Sequence, residues 1–130
     1  MATIFTKIIE GEIPCYKIME TETHISFLDI RPSAEGHTLV VPKPEIDYFF
    51  DLPDDLYRET TVLTRQIANA IDNALNPIRT GIIVEGLEVP HAHVHLIPIY
   101  NTNQPFTLSH TIDLTDREME KVAKKIREVL

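Results

Sequence analysis

The chain has a single cysteine, Cys15, among 130 residues. One thiol excludes an internal disulfide and a cysteine-rich zinc site, and a reducing compartment is the simplest setting. Basic residues are also scarce. Twelve lysines and arginines face 20 acidic residues, a net charge of −8. That balance argues against a broad basic face for nucleic acid, but not against a small anionic substrate, because a local site can overrule the global field. No apolar run approaches the roughly 20 residues of a membrane span. The start, Met1-Ala2-Thr3-Ile4-Phe5-Thr6-Lys7, lacks the charged, apolar, then small order of a secretory signal. Repeats and low-complexity stretches are absent. The expectation is a cytoplasmic chain with no nucleic-acid and no membrane partner. The 43% apolar and 25% charged residues suit one domain over residues 1–130 with a real core.

The first third reads as strands and turns, with Ile13-Pro14 breaking any helix there. Tyr16 to Met19 and His24 to Leu28 are apolar runs split by Glu20-Thr21-Glu22-Thr23, which predicts a hairpin. His37 to Val41 is a β-branched strand closed by Pro42 and Pro44. Pro53-Asp54-Asp55 then opens a helix. Leu56, Leu63, Ile67, Ala70, Ile71 and Ala74 recur at helical spacing, so one long helix runs to about Asn76-Pro77. Strands are predicted at Thr80 to Val84 and at His93 to Tyr100. Thr115 and Glu118 have the spacing of a capping box. They begin a last helix whose apolar face is Met119, Val122, Ile126 and Val129.

Half of the six histidines fall within His91-Ala92-His93-Val94-His95. On an extended chain, side chains alternate faces. His91, His93 and His95 then share one face, and Ala92, Val94 and Leu96 share the other, which suits a core. Three explanations stand for the histidine face. It can be a coincidence of structural histidines. It can be an open metal site, with His37 as a third ligand. Or it can be a nucleophilic site. A neutral imidazole attacks phosphorus at neutral pH, provided its other nitrogen is held by an acceptor and donors meet the phosphoryl oxygens.

The run His91 to Pro98 resembles the signature of the histidine-triad (HIT) superfamily. Three further segments resemble its Hint-like branch: Thr3 to Pro14, Phe27-Leu28-Asp29-Ile30-Arg31-Pro32, and Gly36 to Lys43. The resemblance implies an α+β, HIT-like fold: an antiparallel sheet of about five strands with one long helix and a C-terminal helix. It also implies a homodimer, no cofactor and no catalytic metal. Its implied ligand is a purine nucleotide or a nucleotidyl conjugate. The implied activity is hydrolysis at the α-phosphorus of nucleoside 5'-phosphoramidates through a nucleotidyl-histidine. The alternatives are a dinucleoside polyphosphate hydrolase and a non-catalytic nucleotide-binding module.

By the same resemblance, His93 is the nucleophile and the carbonyl of His91 holds its other nitrogen. His95 and His37 contact phosphate or orient the triad. Asp29 takes the ribose hydroxyls, and Ile4, Phe5, Ile8, Phe27 and Ile30 form the base pocket. Val84 stands near a position where relatives carry asparagine. The loop from Glu85 to Pro90 is short and keeps only Val89 of the usual polar pattern, while Glu88 adds a negative charge beside the phosphate site. Ile99 follows Pro98 where many relatives have arginine. Thr3 and Thr6 occupy the region where some bacterial relatives have zinc-binding cysteines, so no such zinc is expected.

Overall fold

A computed structural model describes residues 2–130. Its elements are α1 (Ile4–Ile9), β1 (Lys17–Glu20), β2 (His24–Leu28), β3 (Thr38–Pro42), a 3₁₀ turn (Phe49–Asp51), α2 (Asp54–Leu75), β4 (Arg79–Ile83), β5 (Val94–Ile99) and α3 (Asp116–Arg127). The strands form one antiparallel sheet in the order β1-β2-β3-β5-β4, which is the α+β arrangement expected. No helix among the described residues is long and apolar enough to cross a membrane.

Alternation along the strands separates two apolar layers. Leu28, Val40, Val94 and Leu96 point to one face, where they meet Leu63, Ile67 and Ile71 of α2 and Met119, Val122 and Ile126 of α3. These are the residues that helical spacing put on the inner faces. Ile25, Phe27, Leu39 and Val41 point to the other face and pack with Phe5 and Ile8 of α1. Leu39 pairs with His95 across β3 and β5, so the histidines belong to the α1 face.

Local chemistry explains the ends of the helices. Two aspartates occupy the first turn of α2, where carboxylates meet the positive end of the helix dipole. Asn76 caps its other end in the left-handed conformation, φ 53°, immediately before a proline that cannot continue the helix. Thr115 and Glu118 form the expected reciprocal cap of α3.

Helix α1 corrects the reading of the first third as strands and turns. Its cap is the same device with a different residue. The Thr3 side chain accepts from the Thr6 amide, and the Thr6 hydroxyl accepts from the Thr3 amide. The usual partner at the third helical position is glutamate or glutamine. With threonine there, and only six residues of helix, neither cap nor periodicity marked the element. Pro14 does not interfere, because the helix has already ended and the chain turns at Gly11 with φ 81°.

Candidate active site

Strand β5 begins at Val94, so His91 and His93 lie on the chain leading into it rather than inside it. They still fall on one side. Phe5 packs edge-on against both rings, at centroid distances of 5.8 Å for His91 and 4.8 Å for His93. His95 lies 4.8 Å from His93. Ala92, Val94 and Leu96 are buried in the opposite, helix-facing core.

Hydrogen-bond partners decide the tautomer of each ring, because a carbonyl only accepts and an amide N–H only donates. His93 Nδ1 lies 2.7 Å from the carbonyl oxygen of His91 and must donate to it. Its Nε2 is therefore unprotonated in the neutral ring. That nitrogen has no protein partner among the described residues, although only 5% of His93 is exposed. His91 Nε2–H donates to the carbonyl of Pro42 at 2.8 Å. His91 Nδ1 is then an acceptor, and the Thr3 hydroxyl donates to it at 3.0 Å.

A second chain runs through the other two histidines. The amide of Ser33 donates to His37 Nδ1 at 2.9 Å. His37 Nε2 consequently carries the proton and donates to His95 Nδ1, also at 2.9 Å. The remaining nitrogen of His95, Nε2, is left as an N–H donor. Burial pushes the pKa of His37 down to about 4 and that of His95 down to about 3, with neighbouring histidines adding to the shift. Both rings are neutral at pH 7, so these tautomers are the relevant ones. Burial also lowers the pKa of His93, against the hydrogen bond to His91, which raises it.

A cavity of about 220 Å³ opens on these groups. His93 and His95 line it together with Asp29, Ile4, Phe5, Ile30 and Val89. Phe27 and Ile8 do not reach the wall. They pack beneath it with Phe5 and Leu39, because Phe27 sits in the middle of β2 with only 3% exposed. His37 and His91 likewise stand behind the wall and act on it through His95 and His93. Val84 lies outside this cavity, in a neighbouring one that His93 also borders. Leu39, Arg31 and Leu108 line the main cavity without having been singled out in the sequence.

Asp29 follows β2, and its Oδ1 accepts from the amide of Arg31 at 2.9 Å. Its pKa is raised, chiefly by burial and further by the negative charge of Glu88, with the Arg31 amide opposing. Oδ2 lies 3.6 Å from His37 Nε2 and 3.9 Å from His95 Nδ1. Among the described residues, Asp29, His37 and His95 are the group of ligand-type atoms close enough to hold a metal ion. Their hydrogen bonding does not suit one. A nitrogen carrying a proton has no lone pair to give, and His37 Nε2 carries one while Ser33 holds Nδ1. The hydroxyls of Thr3 and Thr6 are also committed, to His91 and to Glu45.

Sequence reading missed Thr3 as a partner of His91, and the main-chain groups of Ser33 and Pro42. Only Thr3 left a local trace, in the Thr-x-x-Thr spacing of the cap.

Comparison with known proteins adds ancestry to this geometry. The family described as HIT domain matches residues 10–102. The adenosine 5'-monophosphoramidase of Saccharomyces cerevisiae is 34% identical over 99% of this chain and 81% of its own length. Protein hit of Bacillus subtilis is 33% identical over 95% of this chain and 90% of its own length. A crystal structure of a Hit-like protein from Bartonella henselae matches with a TM-score of 0.89 at 31% identity. It covers 98% of this chain and 96% of that one.

Proposed function

The chain belongs to the HIT family, and from that premise we propose that it is a nucleotide hydrolase acting at the α-phosphorus of nucleoside 5'-phosphoramidates or related nucleotidyl conjugates. The observation that carries the reading is the bare Nε2 of His93. It is an unprotonated nitrogen with no protein partner, on a side chain only 5% exposed that lines a cavity together with Asp29 and a neutral His95. A yeast relative is itself an adenosine 5'-monophosphoramidase.

In this reading the His93 Nε2 lone pair forms a bond to phosphorus as the phosphorus–nitrogen bond breaks. The departing nitrogen keeps the bonding pair and takes a proton from solvent. The modified ring is cationic, and its Nδ1–H remains on the His91 carbonyl, which stabilises that charge. The Nε2–H of His95 donates to a phosphoryl oxygen. Water then attacks phosphorus, the bond to His93 breaks, and the water proton returns to solvent. One amine and one nucleoside monophosphate leave for each water consumed. Asp29 accepts from the ribose hydroxyls, and Ile4, Phe5, Ile30 and Val89 face the base. No metal enters any step.

We also propose a homodimer. Strand β4 ends the sheet, and its edge carries Ile82 at 56% exposure, with Val84 just beyond. An apolar edge strand of this kind invites pairing with a second copy.

The test is incubation with adenosine 5'-phosphoramidate, with and without EDTA, beside His93→Ala. Release of AMP that survives the chelator and disappears in the variant supports the mechanism. Tight AMP binding without turnover overturns it in favour of a binding module. Turnover lost to EDTA overturns the metal-free route.

A further inference from the structure

His93 borders two cavities. One is the cavity with Asp29. The second, of about 270 Å³, lies across the Glu85–Leu87 loop and is lined by Asp47, Tyr48, Phe50, Val84 and Glu85 among others. The two share His93 and the loop itself. With the nucleoside beside Asp29 and the phosphorus at His93, the group displaced from phosphorus falls to the second cavity.

The lining of that cavity has a definite chemical character. Two carboxylates, Asp47 and Glu85, reach it, and no lysine or arginine does. Tyr48 and Phe50 pack edge to face, 5.6 Å apart, and stay exposed by 59% and 66%. Exposed aromatic faces beside carboxylates attract cations, the rings through their quadrupole and the acids through charge. Glu88, at the far end of the same loop, adds negative charge on the nucleoside side, where it reinforces the upward shift that burial gives Asp29. His93 Nε2 has no protein partner, and its side chain, only 5% exposed, borders both cavities, so the second cavity adjoins the reacting residue.

We propose that this second cavity is a leaving-group site selective for amines that carry an additional positive charge, such as an alkyl chain ending in an ammonium. The alkyl stem lies along Val84 and Leu87. The ammonium sits between Tyr48, Phe50 and the carboxylates of Asp47 and Glu85. Polyphosphate leaving groups are disfavoured, because nothing in the cavity neutralises them. This rests on the hydrolase reading above and names the substrate class within it.

Three adenosine phosphoramidates of matched length separate the two ideas. Their leaving groups are 1,4-diaminobutane (cationic), n-butylamine (neutral) and 4-aminobutyrate (anionic). The expected order of kcat/KM is cationic, then neutral, then anionic. The cationic preference over neutral is about tenfold, the scale that two exposed carboxylates and an aromatic face give together. It shrinks as salt is raised, because the carboxylates are exposed. In the Asp47→Asn, Glu85→Gln double variant the ratio of cationic to neutral falls toward one. Both positions are on the surface, and circular dichroism checks that the variant is folded. Cleavage of all three at equal rates overturns the selectivity and leaves the hydrolase reading standing. A charge preference that persists in the double variant overturns the assignment to this cavity. Failure to cleave any of the three overturns the hydrolase reading, and this one with it.

Discussion

Replacing Thr3 by valine removes one oxygen and almost no volume, yet that oxygen serves two groups. It caps α1 by accepting from the Thr6 amide at 3.1 Å, and it donates to His91 Nδ1 at 3.0 Å. Loss of such a cap costs about 1 kcal/mol. His91 is completely buried, so its Nδ1 acceptor loses its partner with no water to replace it, at about 1–3 kcal/mol. The two effects share an atom and need not add. The expected destabilisation is about 2–3 kcal/mol, a large share of an ordinary domain's stability of about 5–15 kcal/mol. Urea unfolding of wild type, Thr3→Val and Thr3→Ser measures it. Serine keeps the hydroxyl and is expected to recover most of the loss. Nitrogen-15 shifts of His91 should show the Nε2–H form in all three, because the Pro42 carbonyl still accepts it, with the Nδ1 signal displaced in Thr3→Val, where its hydrogen bond is lost. A valine variant within about 0.5 kcal/mol of wild type, with an unchanged His91 spectrum, refutes the reasoning.

Three further outcomes are expected. His37 and His95 are neutral in the fold down to about pH 4 and about pH 3, but protonate near pH 6.5 when unfolded. Below pH 6.5 the unfolded chain binds more protons, so stability falls with pH, by about 2 kcal/mol per imidazole between pH 6.5 and 5. Urea midpoints across that window measure this, and His37→Asn should flatten the slope. Asp29→Asn should raise KM by about tenfold for a ribonucleoside substrate, the scale of a charged hydrogen bond, and leave a 2',3'-dideoxy analogue unaffected. Equal effects on both would remove Asp29 from the ribose. Light scattering should give a dimer at micromolar concentration, and Ile82→Lys a folded monomer; a monomeric wild type would count against pairing through β4.

Much of this arrangement was legible in local pattern. Alternation alone put Ala92, Val94 and Leu96 on a core and the three histidines opposite, and both long helices followed from spacing and caps. What the sequence hid falls into two physical classes. Helix α1 was hidden because its cap uses threonine where glutamate is usual, and because six residues are too few for a period to show. The other class is contact at long separation. His37 meets His95 across 58 positions, and Thr3 meets His91 across 88. These meetings depend on how β3 pairs with β5 and where α1 lies across the sheet, and no window of sequence contains both partners. The walls of the second cavity were hidden for the same reason, since Asp47 to Phe50 come to Val84 and Glu85 only through the fold. Phe27 and Ile8 show the reverse error: apolar residues in a binding segment can as easily support a cavity as line it.

Most of the groups that set protonation here belong to the main chain. The Pro42 carbonyl, the His91 carbonyl and the Ser33 amide are made by every residue type that can take those positions, proline excepted at Ser33. Side-chain substitution cannot delete them. The pattern of protons on the rings is therefore inherited with the backbone path rather than residue by residue. Selection can then change the neighbouring side chains freely, and descendants are free to explore new leaving groups while the attacking nitrogen stays bare. Thr3 and His37 are the exceptions, the two side chains that set a proton in a circuit otherwise held by the main chain, and they are where drift in this lineage would first be felt.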